Sequence, residues 1–246
     1  MRPAGGTRPS GSMHRRAAKA SAPRYDSHVK LLKWLLGPYL LAVIVAAFLW
    51  PQPAKGFIGE SSRIVFFHVP CAWTATLAFI VAAVASIVHL VKRDAFSDES
   101  AAAAVRQGFL YSVLATVTGS IFADVMWGSY WNWDPRETSI VLLLFLYAAY
   151  LFLRGAITDP ERRGVFCAVY ALFSGFVMPF LMFVVPRVTA SLHPQTVINR
   201  QGKILMDTPT RVVFFTALAG FTALFFWVWD LDRRLERMKR SLRTLE

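Results

Sequence analysis

A run of thirteen residues concentrates flat aromatic side chains between two apolar stretches. It reads Met126-Trp127-Gly128-Ser129-Tyr130-Trp131-Asn132-Trp133-Asp134-Pro135-Arg136-Glu137-Thr138, so three Trp and one Tyr fall within seven positions. If the segment is helical, Trp127 and Trp131 share a face with Tyr130 beside them, because residues four apart are neighbours on a helix. Such a face could offer one large planar ligand a stacking surface.

The same residues also fit a purely structural interpretation. Trp and Tyr are enriched where transmembrane chains cross the headgroup level of a bilayer. In addition, Asp134, Pro135 and Glu137 match the N-cap, N1 and N3 positions of a helix, with the glutamate reaching back to the cap amide. The spacing alone leaves the ligand platform and the belt with its helix cap both open.

Two histidines are the candidate metal ligands on the same side of the predicted membrane. His68 lies near the outer end of an apolar run and is followed by Pro70, which is expected to open the helix locally, and His193 lies in the last outer connection. A lone membrane histidine can simply be hydrogen-bonded to a neighbour, but ionisable groups within membranes are rare and suggest function. His89 lies at the inner end of the same run, away from the aromatic segment.

Six apolar runs long enough to cross a membrane must position these side chains, since about twenty helical residues span the hydrocarbon. They cover approximately residues 31–50, 64–91, 107–126, 135–153, 164–186 and 211–231. The predicted fold class is an all-α polytopic membrane protein with six transmembrane helices. The polar, alanine-rich residues 92–106 are predicted to form a hairpin between the second and third helices.

The net charge of +12 is distributed unevenly along the chain. Twenty Lys and Arg fall at the termini and in the second and fourth connections, and seven fall on the opposite side. The positive-inside rule therefore predicts that both termini are cytoplasmic (N-in/C-in) and that the short tryptophan-rich segment faces outward. This pattern accounts for the basic composition without a nucleic-acid partner.

The predicted domain organisation has three parts. Residues 1–30 are basic and poor in large apolar side chains, and we expect a disordered cytoplasmic tail that contacts anionic lipid. Residues 31–231 form the six-helix transmembrane domain, and residues 232–246 form a basic cytoplasmic tail. Cys71 and Cys167 fall near opposite ends of their helices, so both are predicted to be free thiols.

The string Trp127-Gly128-Ser129-Tyr130-Trp131-Asn132-Trp133-Asp134 resembles the tryptophan-rich WWD signature of membrane proteins that handle haem in cytochrome c maturation. The chain length and the segment Arg63-Ile64-Val65-Phe66-Phe67-His68-Val69-Pro70 resemble the haem exporter protein C family, CcmC. The likeness extends from about residue 31 to residue 231.

This resemblance implies a site and a function. The family holds haem b as a transient cargo at the periplasmic face of the bacterial inner membrane and presents it to the haem chaperone CcmE. It works with the small protein CcmD and the transporter subunits CcmA and CcmB. The implied axial ligands are His68 and His193, with the aromatic and acidic positions of the signature forming the platform (Trp127, Tyr130, Trp131, Trp133 and Asp134).

Haem also needs cations for its propionates, and Arg63 and Arg136 are the predicted partners, with Arg187 a weaker candidate. No Walker A sequence, nucleophile or acid–base pair is recognisable, so the chain is predicted to be a delivery factor rather than an enzyme.

Two alternative functions stay open. Pro135 and Glu137 resemble the larger WWD-type haem-attachment synthetases, and a non-haem membrane transporter or scaffold is the second.

Overall fold

Every apolar run identified in the sequence is helical in the structure. The computed structural model describes residues 27–193, 204 and 206–243, so most of the basic N-terminal tail lies outside the described residues. Residues 27–35 begin the first helix, and the compact unit that carries the site starts at Leu36. The first helix begins at Ser27 rather than after Lys30.

The described residues form helices joined mostly by short connections. In chain order these are α1 (Ser27–Leu49), a 3-10 helix (Ser61–Phe66), α2 (His68–Lys92), α3 (Ala95–Trp127), α4 (Pro135–Ala156), α5 (Pro160–Pro179), a π-helix (Phe180–Val184), α6 (Val185–Val188) and α7 (Thr208–Arg243). We call the end of the helices formed by residues 50–67, 128–134 and 189–193 the site end. The end formed by residues 92–95 and 156–160 is the opposite end.

Five helical stretches in the described residues are long and apolar enough to cross a membrane. They are Ser61–Lys92, Ala95–Trp127, Pro135–Ala156, Pro160–Val188 and Thr208–Leu242. The apolar part of α1, Lys33–Leu49, is shorter than these. The all-helical class is therefore confirmed, with five of the six expected spans meeting the length and composition that a bilayer requires.

The predicted hairpin at residues 92–106 is wrong, because α3 already begins at Ala95. Asp94 is its N-cap and accepts a hydrogen bond from the Ser97 amide at 2.9 Å. Alanine has the highest helix propensity, and the four alanines that follow, Ala101–Ala104, are buried in the bundle. Asp98 and Glu99 are also buried, and both carboxylates have charged partners on distant helices.

Three ion pairs at the opposite end supply those partners. Arg154 on α4 donates to Asp98 at 2.7 and 2.8 Å, and Arg106 donates to Asp232 on α7 at 2.8 and 2.9 Å. Arg240, near the end of α7, also pairs with Glu99. These contacts hold the first turns of α3 against α4 and α7.

The core lies between α2, α3, α4 and α5. The Phe79 ring stacks on Tyr147 with 3.6 Å between centroids, and Ala78, Ala82 and Ser86 form a buried stripe of small side chains along α2. Small residues at such positions let helices approach closely. Cys71 and Cys167 are both buried free thiols.

The local opening expected near Pro70 is present in the helical stretch Ser61–Lys92. The helical winding changes at Phe67, between the 3-10 helix and α2, so Pro70 falls within the first turn of α2. Amides of a first turn have no partner inside the helix, and proline is tolerated there. As a result, His68 is the first residue of α2 at the site end.

Candidate functional site

A cavity of about 820 Å³ opens at the site end. Its walls come from the 3-10 helix, α2, α3, α4, the π-helix and the start of α7, and most of its lining side chains are apolar. Pockets for small molecules and cofactors usually have volumes of about 300–1,000 Å³ and a few converging polar groups. The polar and charged groups here include His68, His193, Arg63, Arg136 and Arg187.

His68 is held in the cavity wall by α3. Its Nδ1 lies 3.1 Å from Thr118 Oγ1, and that hydroxyl lies 2.7 Å from the Leu114 carbonyl oxygen, to which it donates. Since the single hydroxyl hydrogen is directed at the carbonyl, we assign the proton of the contact to His68 Nδ1. The lone pair of Nε2 is then available to a ligand.

A glycine on α3 makes room for the His68 ring. A Cβ placed on Gly119 would lie 2.9 Å from His68 Cε1, closer than van der Waals contact allows. Gly119 therefore lets the imidazole lie against the α3 backbone. Sequence reasoning missed Thr118 and Gly119, because only the packing of α2 on α3 brings them to His68.

His193 reaches the same cavity from the loop after α6. Its Nδ1 lies 3.0 Å from Asp134 Oδ1, off the axis of a linear hydrogen bond, and its ring meets the Trp127 indole edge-on at 5.2 Å between centroids. Burial lowers the pKa of His193, although the Asp134 carboxylate opposes the shift. The lowered pKa favours the neutral imidazole, which is the form that can bind a metal.

Asp134 connects the aromatic segment to this loop. As the N-cap of α4 it accepts from the Arg136 amide at 2.9 Å, and it also accepts from the Leu192 amide at 2.7 Å and the Ser191 hydroxyl at 3.0 Å. These bonds lower the pKa of Asp134 although burial alone would raise it, so the carboxylate is charged.

The capping box predicted at the start of α4 is confirmed. Glu137 Oε2 accepts from the Asp134 amide at 3.3 Å and from the Asn132 amide at 2.8 Å. Pro135 occupies the N1 position. Pro135 and Glu137 therefore both have a local structural role in the first turn of this helix.

The tryptophan-rich segment is not helical, so Trp127 and Trp131 do not share a helix face. Helix α3 ends at Trp127, Gly128 is left-handed with φ 73°, and Trp133 is left-handed with φ 55°. Trp131 lines the cavity and meets Trp133 edge-on at 5.8 Å between centroids, whereas Tyr130 and Trp133 are 62% and 77% exposed. The predicted platform is thus divided between cavity wall and surface.

Comparison with known proteins identifies the family. The family described as Heme exporter protein C matches residues 14–246, nearly the whole chain. The chain belongs to the haem exporter protein C family. It is 30% identical over 220 residues to Heme exporter protein C of Bradyrhizobium diazoefficiens, covering 88% of this chain and 82% of that protein.

Two further relatives carry the same name. The Paracoccus denitrificans protein is 31% identical over 209 residues, covering 82% of this chain and 83% of its own length. The Escherichia coli K12 protein is 31% identical over 146 residues, covering 58% and 60%. Family membership and the apolar helices together make the chain a multi-pass membrane protein of haem handling, and the comparisons indicate no enzyme family.

The cavity fits a haem in volume and donor set. Two imidazoles and three guanidiniums line it, and Trp131 contributes aromatic wall. Of the predicted propionate partners, Arg63 is already engaged. Its guanidinium donates to the backbone oxygens of Ala47 at 2.6 Å and Pro51 at 3.0 Å and pairs with Glu60. Arg136 and Arg187 also line the cavity. Arg187 is engaged as well, since it donates to the Phe183 carbonyl oxygen at 2.9 Å.

Four predicted site residues have other surroundings. Trp127, Tyr130, Trp133 and Asp134 are not among the residues that line the cavity. Trp127 supports the His193 ring, and Asp134 bonds the loop that carries it. The sequence did not separate the side chains that face the cavity from those that contact a neighbouring residue.

Proposed function

We propose that the cavity binds haem as a transient cargo between the Nε2 atoms of His68 and His193. One observation carries this proposal: the two histidines, far apart in sequence, line a single mostly apolar cavity. Each has its Nδ1 about 3 Å from an oxygen, with Thr118 Oγ1 at 3.1 Å from His68 and Asp134 Oδ1 at 3.0 Å from His193. Haem proteins use axial imidazoles in this way, and apolar walls exclude water from the iron.

The direction of haem transfer is also a proposal. The resemblance to CcmC supports delivery to the chaperone CcmE, in company with CcmD and the transporter subunits CcmA and CcmB. A relative from Marchantia polymorpha, 27% identical over 190 residues, is named a ccmC-like mitochondrial protein of cytochrome c biosynthesis. We therefore assign this chain to haem delivery in cytochrome c maturation, with haem b as the cargo.

The proposed topology has six spans, with both termini cytoplasmic and the site end facing the periplasm across the bacterial inner membrane. The uneven distribution of Lys and Arg supports it, as the basic residues concentrate at the opposite end and in the terminal segments. In this arrangement α1 supplies the sixth span. The capping box removes the main reason to favour a haem-attachment synthetase, since Pro135 and Glu137 are explained locally.

The test is the visible spectrum of the purified protein from a haem-replete host. We expect a Soret band in the wild type, and we expect His68→Ala and His193→Ala each to reduce bound haem and haem loading of co-expressed CcmE. Added imidazole should restore the spectrum of either variant, because it replaces the missing ligand.

His89→Gln is the matched control, because His89 lies on the same helix at the opposite end and contacts the Asp94 carbonyl oxygen at 2.9 Å through Nδ1. It should bind haem as the wild type does. Wild-type spectra and normal chaperone loading in both the His68 and His193 variants would defeat the ligand assignment. Colourless wild-type protein would favour a scaffold.

A further inference from the structure

The contacts of Asp134 exceed what a helix cap requires. Its side chain is almost fully buried, with the residue 3% exposed. Its two oxygens cap amides of the first turn of α4, accept from the Leu192 amide and the Ser191 hydroxyl, and lie as close as 3.0 Å to His193 Nδ1. The Asp159-Pro160 pair at the opposite end provides a comparison within the chain. Asp159 is an exposed N-cap that accepts from the Arg162 amide at 2.7 Å, within its own first turn.

We propose that Asp134 is a positioning residue for His193, holding the loop and turning Nδ1 of the ring toward its own carboxylate so that Nε2 faces the cavity. This inference rests on the proposed function. Asp134 is not among the residues that line the cavity. We therefore expect it to affect haem indirectly, by orienting His193.

The three loop contacts act on different parts of residues 191–193. The Leu192 amide bond fixes the backbone, and the Ser191 hydroxyl bond fixes the residue that accepts from the His193 amide at 3.2 Å. The 3.0 Å contact between Nδ1 and Oδ1 is off a hydrogen-bond axis and places the carboxylate beside the ring. The Trp127 indole supports the ring from another side. A loop ligand is thereby given a defined orientation by helix-anchored groups.

The chemistry of such a pair is specific. A ligating histidine that donates its other N–H to a carboxylate is a stronger electron donor and is locked in one tautomer, and losing this partner typically weakens metal affinity about 10–100-fold. A more basic axial ligand also favours ferric over ferrous iron. Asp134 should therefore influence both the haem affinity and the midpoint potential of the bound haem.

The test uses full-length protein with Asp134→Asn, which keeps an N-cap side chain and removes the charge. Asp159→Asn is the matched control at the other Asp-Pro cap. In the haem-free protein, hydrogen exchange of a peptide covering residues 188–193 should be faster in Asp134→Asn and unchanged in Asp159→Asn. This measurement tests the loop contact independently of haem.

With haem added, Asp134→Asn should bind about 10–100-fold more weakly and with a more positive midpoint potential. In a His193→Ala background the same substitution should have no further effect on haem. Wild-type affinity and potential in Asp134→Asn, or an equal loss in the His193→Ala background, would overturn the inference. If His193→Ala alone leaves haem binding unchanged, the proposed function fails. If hydrogen exchange of residues 188–193 is unchanged in Asp134→Asn, only the positioning role of Asp134 fails.

Discussion

The two ends of the helical bundle use buried charge differently. At the opposite end, Asp98, Glu99 and Asp232 each pair directly with an arginine of another helix. At the site end, histidines and arginines line a cavity of about 820 Å³. The ion pairs at the opposite end join one helix to another. The charged groups at the site end line a cavity, where they can contact a ligand.

Helix α2 carries this contrast along its own length. His68 at its first turn lines the cavity, and His89 at its last turn is buried, with Nδ1 2.9 Å from the Asp94 carbonyl oxygen and the ring against Gly164. Both residues are histidines of one helix, so their different surroundings and not the residue type distinguish them. An intramembrane histidine is informative about function only when its neighbours leave space beside it.

The largest effect should come from breaking an ion pair at the opposite end. In Arg154→Ala the buried Asp98 carboxylate loses both of its charged hydrogen bonds, and removing one partner of a buried pair typically costs about 3–5 kcal/mol. We expect a loss of that size in the free energy of unfolding, measured by denaturant titration of detergent-solubilised protein. The haem bound per folded molecule should not change.

Arg162→Ala is the control, because Arg162 is an exposed arginine at the same end. It should leave the unfolding free energy almost unchanged, as surface charges contribute little. If Arg154→Ala unfolds normally but loses haem, then the opposite end takes part in binding and the contrast between the two ends is wrong.

Two glycines of α3 allow a sharper comparison of core and site. A Cβ on Gly108 would lie 2.5 Å from Phe79 Cε1, and a Cβ on Gly119 would lie 2.9 Å from His68 Cε1. Overpacking of this kind costs about 1–3 kcal/mol, so both Gly108→Ala and Gly119→Ala should lower the free energy of unfolding. Only Gly119→Ala should also shift the Soret band and weaken haem binding, since it displaces the proposed ligand His68.

Gly155→Ala serves as the control for both, because nothing lies within 4 Å of a Cβ at that position on α4. It should be neutral or slightly stabilising, given the helix propensity of alanine. Equal changes in the haem spectrum for Gly108→Ala and Gly119→Ala would mean that general loosening, and not the His68 ring, controls binding.

Much of the architecture could be predicted from local sequence. Apolar runs identified the helices, Asp134-Pro135 with Glu137 identified the start of α4, and the alternation of helices brought His68 and His193 to the same end. The extent of α3 could not be predicted, because the partners that bury its first turns, Arg154 and residues of α7, are distant in sequence.

The details of the site were less accessible for the same reason. The aromatic spacing suggested a helical face, but left-handed backbone at Gly128 and Trp133 turns consecutive aromatic side chains in different directions. The bonds from Asp134 to residues 191–193 join two loops that no sequence pattern pairs. Residue type therefore suggested which kinds of side chain to expect, while tertiary contacts decided which of them face the cavity.

The smallest effect should separate the two neighbouring tryptophans. Trp131 lines the cavity and Trp133 is exposed, so Trp131→Ala should weaken haem binding by about 1 kcal/mol, or roughly fivefold, through loss of aromatic contact, and Trp133→Ala should weaken it less. Haem titration of both variants measures this difference. The two rings meet edge-on with 5.8 Å between centroids, so Trp133→Ala can also weaken haem binding by moving the Trp131 ring. The loss of binding free energy in the double variant should therefore be no larger than the sum of the two single losses. A larger loss for Trp133→Ala than for Trp131→Ala would mean that haem contacts the outer surface of the segment, in which case the cavity is not the main binding surface.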